Sequence, residues 1–243
     1  MIKEAIQHYK QSHGYSQFSP RCVLFDMDGV LYNSMPNHAV AWHEAMKQFG
    51  IHFTADDSYA TEGARGVDTI RKYVLEQQGK EISSEEAQRM YDVKTEIFHH
   101  MPIAETFPGV IDIMQKIKSA GMTIGVVTGS GQRPLIKRLL NDFDGFLTED
   151  HIVTAYDVER GKPNPDPYLM GLRKTGNNNP WQGIVVENAP LGVRAGSAAN
   201  CFTIGINSGP LPDSALADNG ADIVLQQMTD LCNLWDEILQ NID

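Results

Sequence analysis

The sequence predicts an α/β protein, with a doubly wound parallel sheet as its core and a small helical domain inserted after the first strand. Short apolar runs alternate along the chain with segments of helical periodicity, which favours a parallel sheet covered by helices on both faces. One interval of about eighty residues, after the first apolar run, breaks this alternation and contains only helical patterns. These two observations decide the predicted architecture.

The predicted strands are apolar runs without polar alternation, which is typical of strands buried on both faces of a sheet. The first run spans residues 21–25 and ends abruptly in DMDG at 26–29. The same pattern recurs at residues 122–128, 183–186, 201–206 and 222–225. Helices are predicted where apolar residues repeat at i, i+3, i+4 and i+7, namely after PG at 108–109 and after the expected cap TD at 229–230.

The inserted domain is predicted over roughly residues 34–104. Its helical segments cover 37–50, 67–78 and 84–99, and the last begins with a capping-box pattern, SSEE at 83–86. The rest of the chain then divides into a polar leader at 1–20 and a core built from 21–33 plus 105–243. Because ligands of open α/β sheets bind outside the carboxyl ends of the strands, this insertion is expected to cover the site as a cap.

The composition excludes several classes of function. The net charge of −11 disfavours sequence-independent binding to nucleic acid or to anionic membranes, since both need basic patches. No run approaches the ~18 apolar residues that cross a bilayer, and the polar N-terminus lacks the apolar segment of a secretory signal. The three cysteines are widely separated, which argues against a disulfide framework or a zinc site. We expect a cytoplasmic monomer.

Polar side chains follow three of the predicted strands at their carboxyl ends. They are, in chain order, Asp26 and Asp28, then Thr128, Gly129 and Ser130, then Glu187 and Asn188. Lys162 lies in the loop between the second and third groups. Because parallel strands end at one edge of the sheet, these groups are expected to form one pocket of carboxylates, a hydroxyl, an amide and an ammonium. Such a set suits phosphoryl transfer to or from a small phosphorylated substrate.

Asp26 is the predicted nucleophile of this pocket. A carboxylate that attacks an anionic phosphate needs a divalent cation beside it, and we expect Mg²⁺, which prefers hard oxygen ligands. The expected ligands are the Asp26 carboxylate, the Asp28 backbone carbonyl and Asn188. Asp28 is the predicted general acid and base, which protonates the leaving group and then deprotonates the water that hydrolyses the aspartyl-phosphate.

Four further residues are expected to hold the phosphate oxygens, where charge spreads in the transition state: Thr128, Gly129, Ser130 and Lys162. Glu187 has two interpretations that the sequence leaves open. In the first, Glu187 holds Lys162 in place. In the second, it belongs to the metal site, where it either binds the metal directly or hydrogen-bonds to a residue that does.

Four motifs carry a resemblance to a known family: FDMDGVL at 25–31, VVTGSG at 126–131, GKPNPDPY at 161–168 and VVENAPLGVRAG at 185–196. In this order and spacing they resemble the motifs of the haloacid dehalogenase superfamily. The insertion directly after the first motif resembles the C1 helical cap of the β-phosphoglucomutase-like subgroup. The resemblance covers residues 21–243 and implies a Rossmann-like core, Mg²⁺ and a covalent aspartyl-phosphate.

The sequence departs from that family pattern in one ligand. The fourth motif usually has an acidic pair, whereas the second position here is Asn188, so the site lacks one negative charge. We hypothesise that Glu62, in the cap loop at 60–66 where the subgroup places its specificity loop, closes onto the metal and restores that charge. Such a clamp leaves room for a very small leaving group, and the sequence also resembles a β-phosphoglucomutase-like inorganic pyrophosphatase. His38 and Arg65 are the other candidate substrate contacts of the cap.

Alternatives remain open at this point. Within the enzyme class they are a sugar-phosphate phosphatase and a β-phosphoglucomutase. A signalling receiver module also uses a strand-end aspartate with Mg²⁺, but it lacks an acid two residues after the nucleophile and a large insertion. A phosphate-binding protein without activity is suggested only by Asn188.

Overall fold

The computed structural model describes residues 2–243 and contains a six-stranded parallel sheet. Its strands are β1 (Cys22–Phe25), β2 (Thr123–Val127), β3 (Ile152–Val153), β4 (Gly183–Glu187), β5 (Phe202–Ile206) and β6 (Ile223–Leu225). Their spatial order is β3-β2-β1-β4-β5-β6, with each neighbouring pair parallel. The chain therefore enters at the centre of the sheet and winds outward in both directions, which confirms the doubly wound α/β fold.

Helices cover both faces of the sheet. One face packs against α1 (Ile2–His13), α6 (Val110–Ser119), α7 (Arg133–Asp142) and α11 (Met228–Gln240). The other packs against α8 (Asp166–Lys174) and α9 (Pro190–Ala198), and the short α10 (Ser214–Ala217) precedes β6. Alternate residues of β1 point to the two faces, since Val23 and Phe25 belong to the larger apolar core and Cys22 and Leu24 to the smaller one.

Four helices, here called the cap, lie between β1 and α6: α2 (Met35–Gln48), α3 (Ala55–Ala60), α4 (Gly66–Gln78) and α5 (Ser84–His99). They share an apolar cluster of their own around Trp42 and Phe53. The two connections to the core hydrogen-bond to each other, from Asn33 N–H to the Glu105 carbonyl at 2.8 Å and from Phe107 N–H to the Leu31 carbonyl at 3.0 Å. The cap is thus entered and left at one point beside the end of β1.

Some elements depart from the prediction. Strand β3 and helix α3 are too short to give a periodic signal and have no predicted counterpart. Helix α11 begins at Met228, so the residue that caps the N-terminus of this helix is Gln227 and not the predicted TD pair. The leader contains α1, whose residues Ile2, Ile6 and Tyr9 are buried in the larger core at helical spacing. Among residues 2–243, none of the helices combines the length and the apolarity needed to cross a bilayer.

Candidate active site

The end of β1 places two carboxylates at the centre of the sheet edge. Asp26 continues the ladder, because its N–H donates to the Val186 carbonyl at 2.9 Å. The chain then turns at Gly29, whose φ of +85° favours glycine. A Cβ at Gly29 would also lie 2.1 Å from Asn188 Nδ2, so the turn packs directly on the fourth motif. Asp26, Asp28 and Asn188 are all buried.

Lys162 joins the nucleophile strand to the fourth motif. Its ammonium donates to Asp26 Oδ1 at 2.5 Å, to Glu187 Oε1 at 2.7 Å and to the Val127 carbonyl at 3.0 Å. Burial tends to lower the pKa of Lys162, but the two carboxylates outweigh it and the net pKa is raised. The Lys162 ammonium is therefore a fixed positive charge beside the carboxylate of Asp26.

Glu187 is fully buried and has its hydrogen-bonding capacity filled by the protein. Oε1 accepts from Lys162 and from the Tyr168 hydroxyl at 2.8 Å, and Oε2 accepts from the N–H groups of Asn188 and Ala189 at 3.0 and 3.2 Å. This geometry favours the interpretation that Glu187 holds Lys162. Tyr168 is a contributor that sequence reasoning overlooks, although it closes the third motif.

Two oxygens that follow the paired strands β1 and β4 are left without partners. Asp26 Oδ2 and Asn188 Oδ1 are buried and have no hydrogen-bond partner among the described residues. Burial raises the pKa of Asp26, and Lys162 opposes that effect only in part. A carboxylate oxygen and an amide oxygen that both lack donors fit a hard divalent cation, which would also keep Asp26 ionised. Within residues 2–243 no cluster of three or more His, Cys, Asp or Glu side chains is placed to hold a metal, so this ligand set depends on the amide.

Asp28 faces the cap and is held by residues at its first helix. The Ser34 hydroxyl donates to Asp28 Oδ1 at 2.6 Å, and His38 Nε2 lies 3.2 Å from the same oxygen. Burial favours a higher pKa of Asp28, but His38 and Ser34 outweigh it and lower the pKa to about 2. In this arrangement Asp28 is a carboxylate, which is the form that accepts a proton.

Lys94 is a buried cation of the cap that the sequence-based prediction does not include. Its ammonium lies 2.7 Å from His38 Nδ1 and within 6 Å of the ring centres of Trp42, Tyr91 and Phe98. Burial lowers its pKa to about 8, and Glu62 and Asp28 offset only part of that effect. A signal existed in the sequence, since Lys94 lies three residues after Tyr91 and four before Phe98, on one side of the predicted helix.

The loop after β2 closes the other side of the pocket. Thr128 is buried, and its Oγ1 accepts the Ser130 N–H at 3.0 Å. Gly129 lies under the cap, because a Cβ there would meet the Gly63 carbonyl oxygen at 3.2 Å. The loop therefore places two hydroxyls between the core and the cap.

Between core and cap lies a cavity of about 40 Å³, lined by Asp28, His38, Glu62, Lys94 and Ser130 among others. Glu62 is half-buried there; burial raises its pKa, and His38 opposes that change. Arg65 does not point into this cavity. Its guanidinium hydrogen-bonds with Asp68 at 2.8 Å and with the Glu159 carbonyl of the core at 2.8 Å. The structure thus brings together the predicted residues except Arg65, which joins cap to core.

Comparison with known proteins agrees with the order of the motifs. The sequence model of the haloacid dehalogenase-like hydrolase family matches residues 23–206. Hexitol phosphatase A of Escherichia coli (strain K12) is 31% identical over 216 residues, covering 86% of this chain and 92% of that protein. The β-phosphoglucomutase of Bacillus subtilis (strain 168) is 25% identical, covering 87% and 91%. A Bacteroides vulgatus structure, named as a candidate β-phosphoglucomutase, is 45% identical with a TM-score of 0.95, covering 100% and 98%.

Proposed function

The chain belongs to the haloacid dehalogenase-like hydrolase family, and on that premise we propose that it is a Mg²⁺-dependent phosphohydrolase that forms an aspartyl-phosphate on Asp26. The observation that carries the proposal is the end of β1. There a buried carboxylate has one oxygen on Lys162 and one without a partner, and Asn188, which follows the neighbouring strand β4, has an unpartnered oxygen of its own. Asp28, two residues on, is placed to exchange a proton with a leaving group.

The reaction follows from these side chains. An Asp26 carboxylate oxygen attacks phosphorus, the bond from phosphorus to the leaving oxygen breaks, and Asp28 in its protonated form gives its proton to that oxygen. The negative charge of the substrate beside Asp28 raises its pKa and favours the protonated form. Asp28 then takes a proton from a water that attacks phosphorus, and the bond from phosphorus to Asp26 breaks. Thr128 and the rest of the 128–130 loop hold the other phosphate oxygens throughout. Lys162, whose three N–H groups already donate within the protein, contributes its positive charge.

A bound Mg²⁺, held by Asp26, Asn188 and the Asp28 backbone carbonyl, would supply positive charge that Lys162 alone does not provide. We propose that Glu62 adds a fourth contribution from the cap. It lies in the same cavity as Asp28, and the missing acid at position 188 leaves the site one negative charge short.

We further propose that the substrate is inorganic pyrophosphate. The cavity of about 40 Å³ has room for a few waters or one phosphoryl group, and a second cavity lined by Asp28, Ser34 and Tyr32 measures about 190 Å³. Both are smaller than the roughly 300 Å³ or more of sites for larger organic ligands. The lining of the smaller cavity is about half polar, and Lys94 with His38 provides a cationic side for a leaving group that is itself an anion. A hexose would need the cap to move away.

A sugar phosphate is the second candidate, because of the proteins that this chain is similar to. One is a hexitol phosphatase, one is a β-phosphoglucomutase, and one from Thermotoga maritima is a phosphorylated carbohydrates phosphatase at 26% identity. These names concern organic phosphates. They support the enzyme class and leave the cavity as the argument for pyrophosphate.

A phosphate-release screen with Mg²⁺ tests the proposal. It compares kcat/KM for pyrophosphate, hexose phosphates, glycerol phosphate and nucleotides, with Asp26→Asn as the variant without a nucleophile. Pyrophosphate is expected to lead. A sugar phosphate that exceeds it by more than about tenfold, or about 1.4 kcal/mol, overturns the substrate. Undiminished turnover by Asp26→Asn overturns the mechanism.

Glu62→Ala tests the cap contribution, and Glu76→Ala on the exposed face of α4 is the matched control. The expected result is weaker Mg²⁺ binding by calorimetry together with slower pyrophosphate turnover. If both quantities stay at the wild-type level, Glu62 has no part in the metal site. We also propose that the enzyme is a cytoplasmic monomer, which size-exclusion chromatography with light scattering tests for the oligomeric state.

A further inference from the structure

Gln132 connects the loop that follows β2 to the cap. It lies at the residue before α7, and its side chain spans the gap to α5. His99 Nε2 lies 2.8 Å from the Gln132 side-chain oxygen, and the Gln132 amide nitrogen donates to Thr95 Oγ1 at 3.4 Å. Tyr91 of the same helix lines the cavity that Gln132 also lines. One core residue therefore hydrogen-bonds with two residues of one cap helix and shares a cavity with a third.

Those three residues form a single stripe of α5. Tyr91, Thr95 and His99 are spaced by four residues, so they lie one above another on the helix. The neighbouring stripe carries Lys94, whose ammonium contacts His38 beside the general acid Asp28. The position of α5 relative to the core therefore sets where Lys94 and His38 lie.

The other end of Gln132 is tied to the proposed phosphate-binding loop. Its backbone N–H donates to Ser130 Oγ at 3.3 Å, and the Ser130 N–H donates to Thr128 Oγ1 at 3.0 Å. A short chain of hydrogen bonds thus runs from Thr128, through Ser130 and Gln132, to the stripe on α5. This chain is a direct connection between the loop and the cap.

Other contacts between cap and core do not make this connection. Arg65 donates to the Glu159 carbonyl, and the Tyr59 ring packs on Gly209. Both join the cap to loops outside residues 128–132. The Gly63 backbone lies close to Gly129, which limits how near the cap comes to the loop. This contact has no side chain that a substitution could remove to free the cap.

We infer that Gln132 is a positioning residue that latches the cap shut and couples occupation of the 128–130 loop to the placement of Lys94 and His38. This inference rests on the proposed function, because the loop is taken to hold the substrate phosphate. It assigns to Gln132 a role in the closed state and not in the chemical step.

A double-mutant cycle tests the latch, using Gln132→Ala, His99→Ala and the double variant, with Gln115→Ala on α6 as the matched control. Loss of the latch is expected to lower kcat/KM about three- to tenfold, mainly by raising KM, because neutral hydrogen bonds of this kind contribute a small factor. The kcat/KM of the double variant is expected to lie within about twofold of that of Gln132→Ala, since both substitutions remove the same contact between Gln132 and His99. Losses that multiply in the double variant overturn the pairing.

A second readout does not depend on turnover. Fluorophores on Lys80→Cys in the cap and Asp144→Cys in the core, both exposed positions, report the distance between cap and core in a Cys232→Ser background. With Mg²⁺ and inorganic phosphate, the wild type is expected to shift to the shorter distance, and Gln132→Ala to shift much less at equal melting temperature. Equal shifts in both overturn the latch. Absence of turnover by the wild type on every compound of the phosphate-release screen, pyrophosphate included, overturns the proposed function instead, and leaves the distance measurement to decide the latch.

Discussion

Glu187→Gln separates the two interpretations of this buried acid. The side chain is 0% exposed and accepts hydrogen bonds from Lys162, Tyr168, Asn188 and Ala189. Each of its two oxygens receives two donors. An amide placed there has lost the charge that balances Lys162, and its NH₂ group must face two donors whichever way it is turned.

The magnitude follows from that environment. Breaking a buried ion pair by removing one partner costs about 3 to 5 kcal/mol. The charge of Lys162 is then balanced by Asp26 alone, which draws the ammonium more tightly onto the nucleophile. For a domain of this size each kcal/mol corresponds to about 2 to 4 °C in Tm, so we expect a decrease of roughly 6 to 20 °C.

Three measurements on one preparation make the assignment. Urea denaturation gives the free energy of unfolding, calorimetry gives the Mg²⁺ affinity, and phosphate release gives kcat. We expect a large loss of stability, a loss of kcat of about tenfold or more, and Mg²⁺ affinity within about threefold of wild type. Glu76→Gln, an exposed glutamate of α4, should change none of them.

The refuting result is specific. If the Mg²⁺ affinity of Glu187→Gln falls more than about tenfold while its stability stays near the wild-type value, Glu187 is a metal ligand. The hydrogen bonds from Lys162 and Tyr168 would then describe only the metal-free protein.

Two further predictions concern charge. Asn188→Asp adds a carboxylate after β4, the strand that pairs with the strand of Asp26, so Mg²⁺ affinity by calorimetry should rise about tenfold and depend less on Glu62; an unchanged affinity contradicts the ligand role of Asn188. Asp222 accepts the Thr203 N–H, and burial raises its pKa to about 7, which that hydrogen bond opposes only in part. Its folded-state pKa exceeds the unfolded value, so the protonated form stabilises the fold below pH about 4 and this contribution is lost as pH rises through 7. Relative to Asp222→Asn, wild-type urea stability should fall by about 2 to 4 kcal/mol over that range, and parallel pH profiles would contradict the assignment.

The fold and the core of the site were predictable because their signals are local. Strands buried on both faces have to be apolar, so β1, β2, β4 and β5 are visible as runs, and parallel pairing alone brings Asp26, Thr128 and Asn188 to one edge. Strand β3 has two residues and is held in the sheet by its pairing with β2. So short a strand has no pattern that the sequence could reveal.

The cap contacts were harder to predict for a different reason. Lys94 lies 56 positions from His38 and Gln132 lies 33 from His99. Lys94 is a polar residue of a helix and Gln132 a polar residue just before one, and for both solvation is the ordinary state. Only the packing of cap on core buries Lys94 or gives Gln132 a partner. Arg65 is the opposite case. From the sequence it is a cation near the site and a candidate phosphate ligand, but in the structure its guanidinium donates to the Glu159 carbonyl.

The charges of the pocket fall into two groups that come from different parts of the chain. Lys162 with Asp26 and Glu187 belongs wholly to the core, so the nucleophile keeps its counter-charge whatever the cap does. Asp28 instead depends on His38 and, through it, on Lys94. In the proposed mechanism, this acidic protein of net charge −11 therefore carries a permanent positive charge for the attacking group, while the positive charge for the leaving group is present only with the cap in place. Hydrolysis of a bound phosphate requires both, so a cap displaced from the core should still allow binding at Asp26 and fail at the proton transfer.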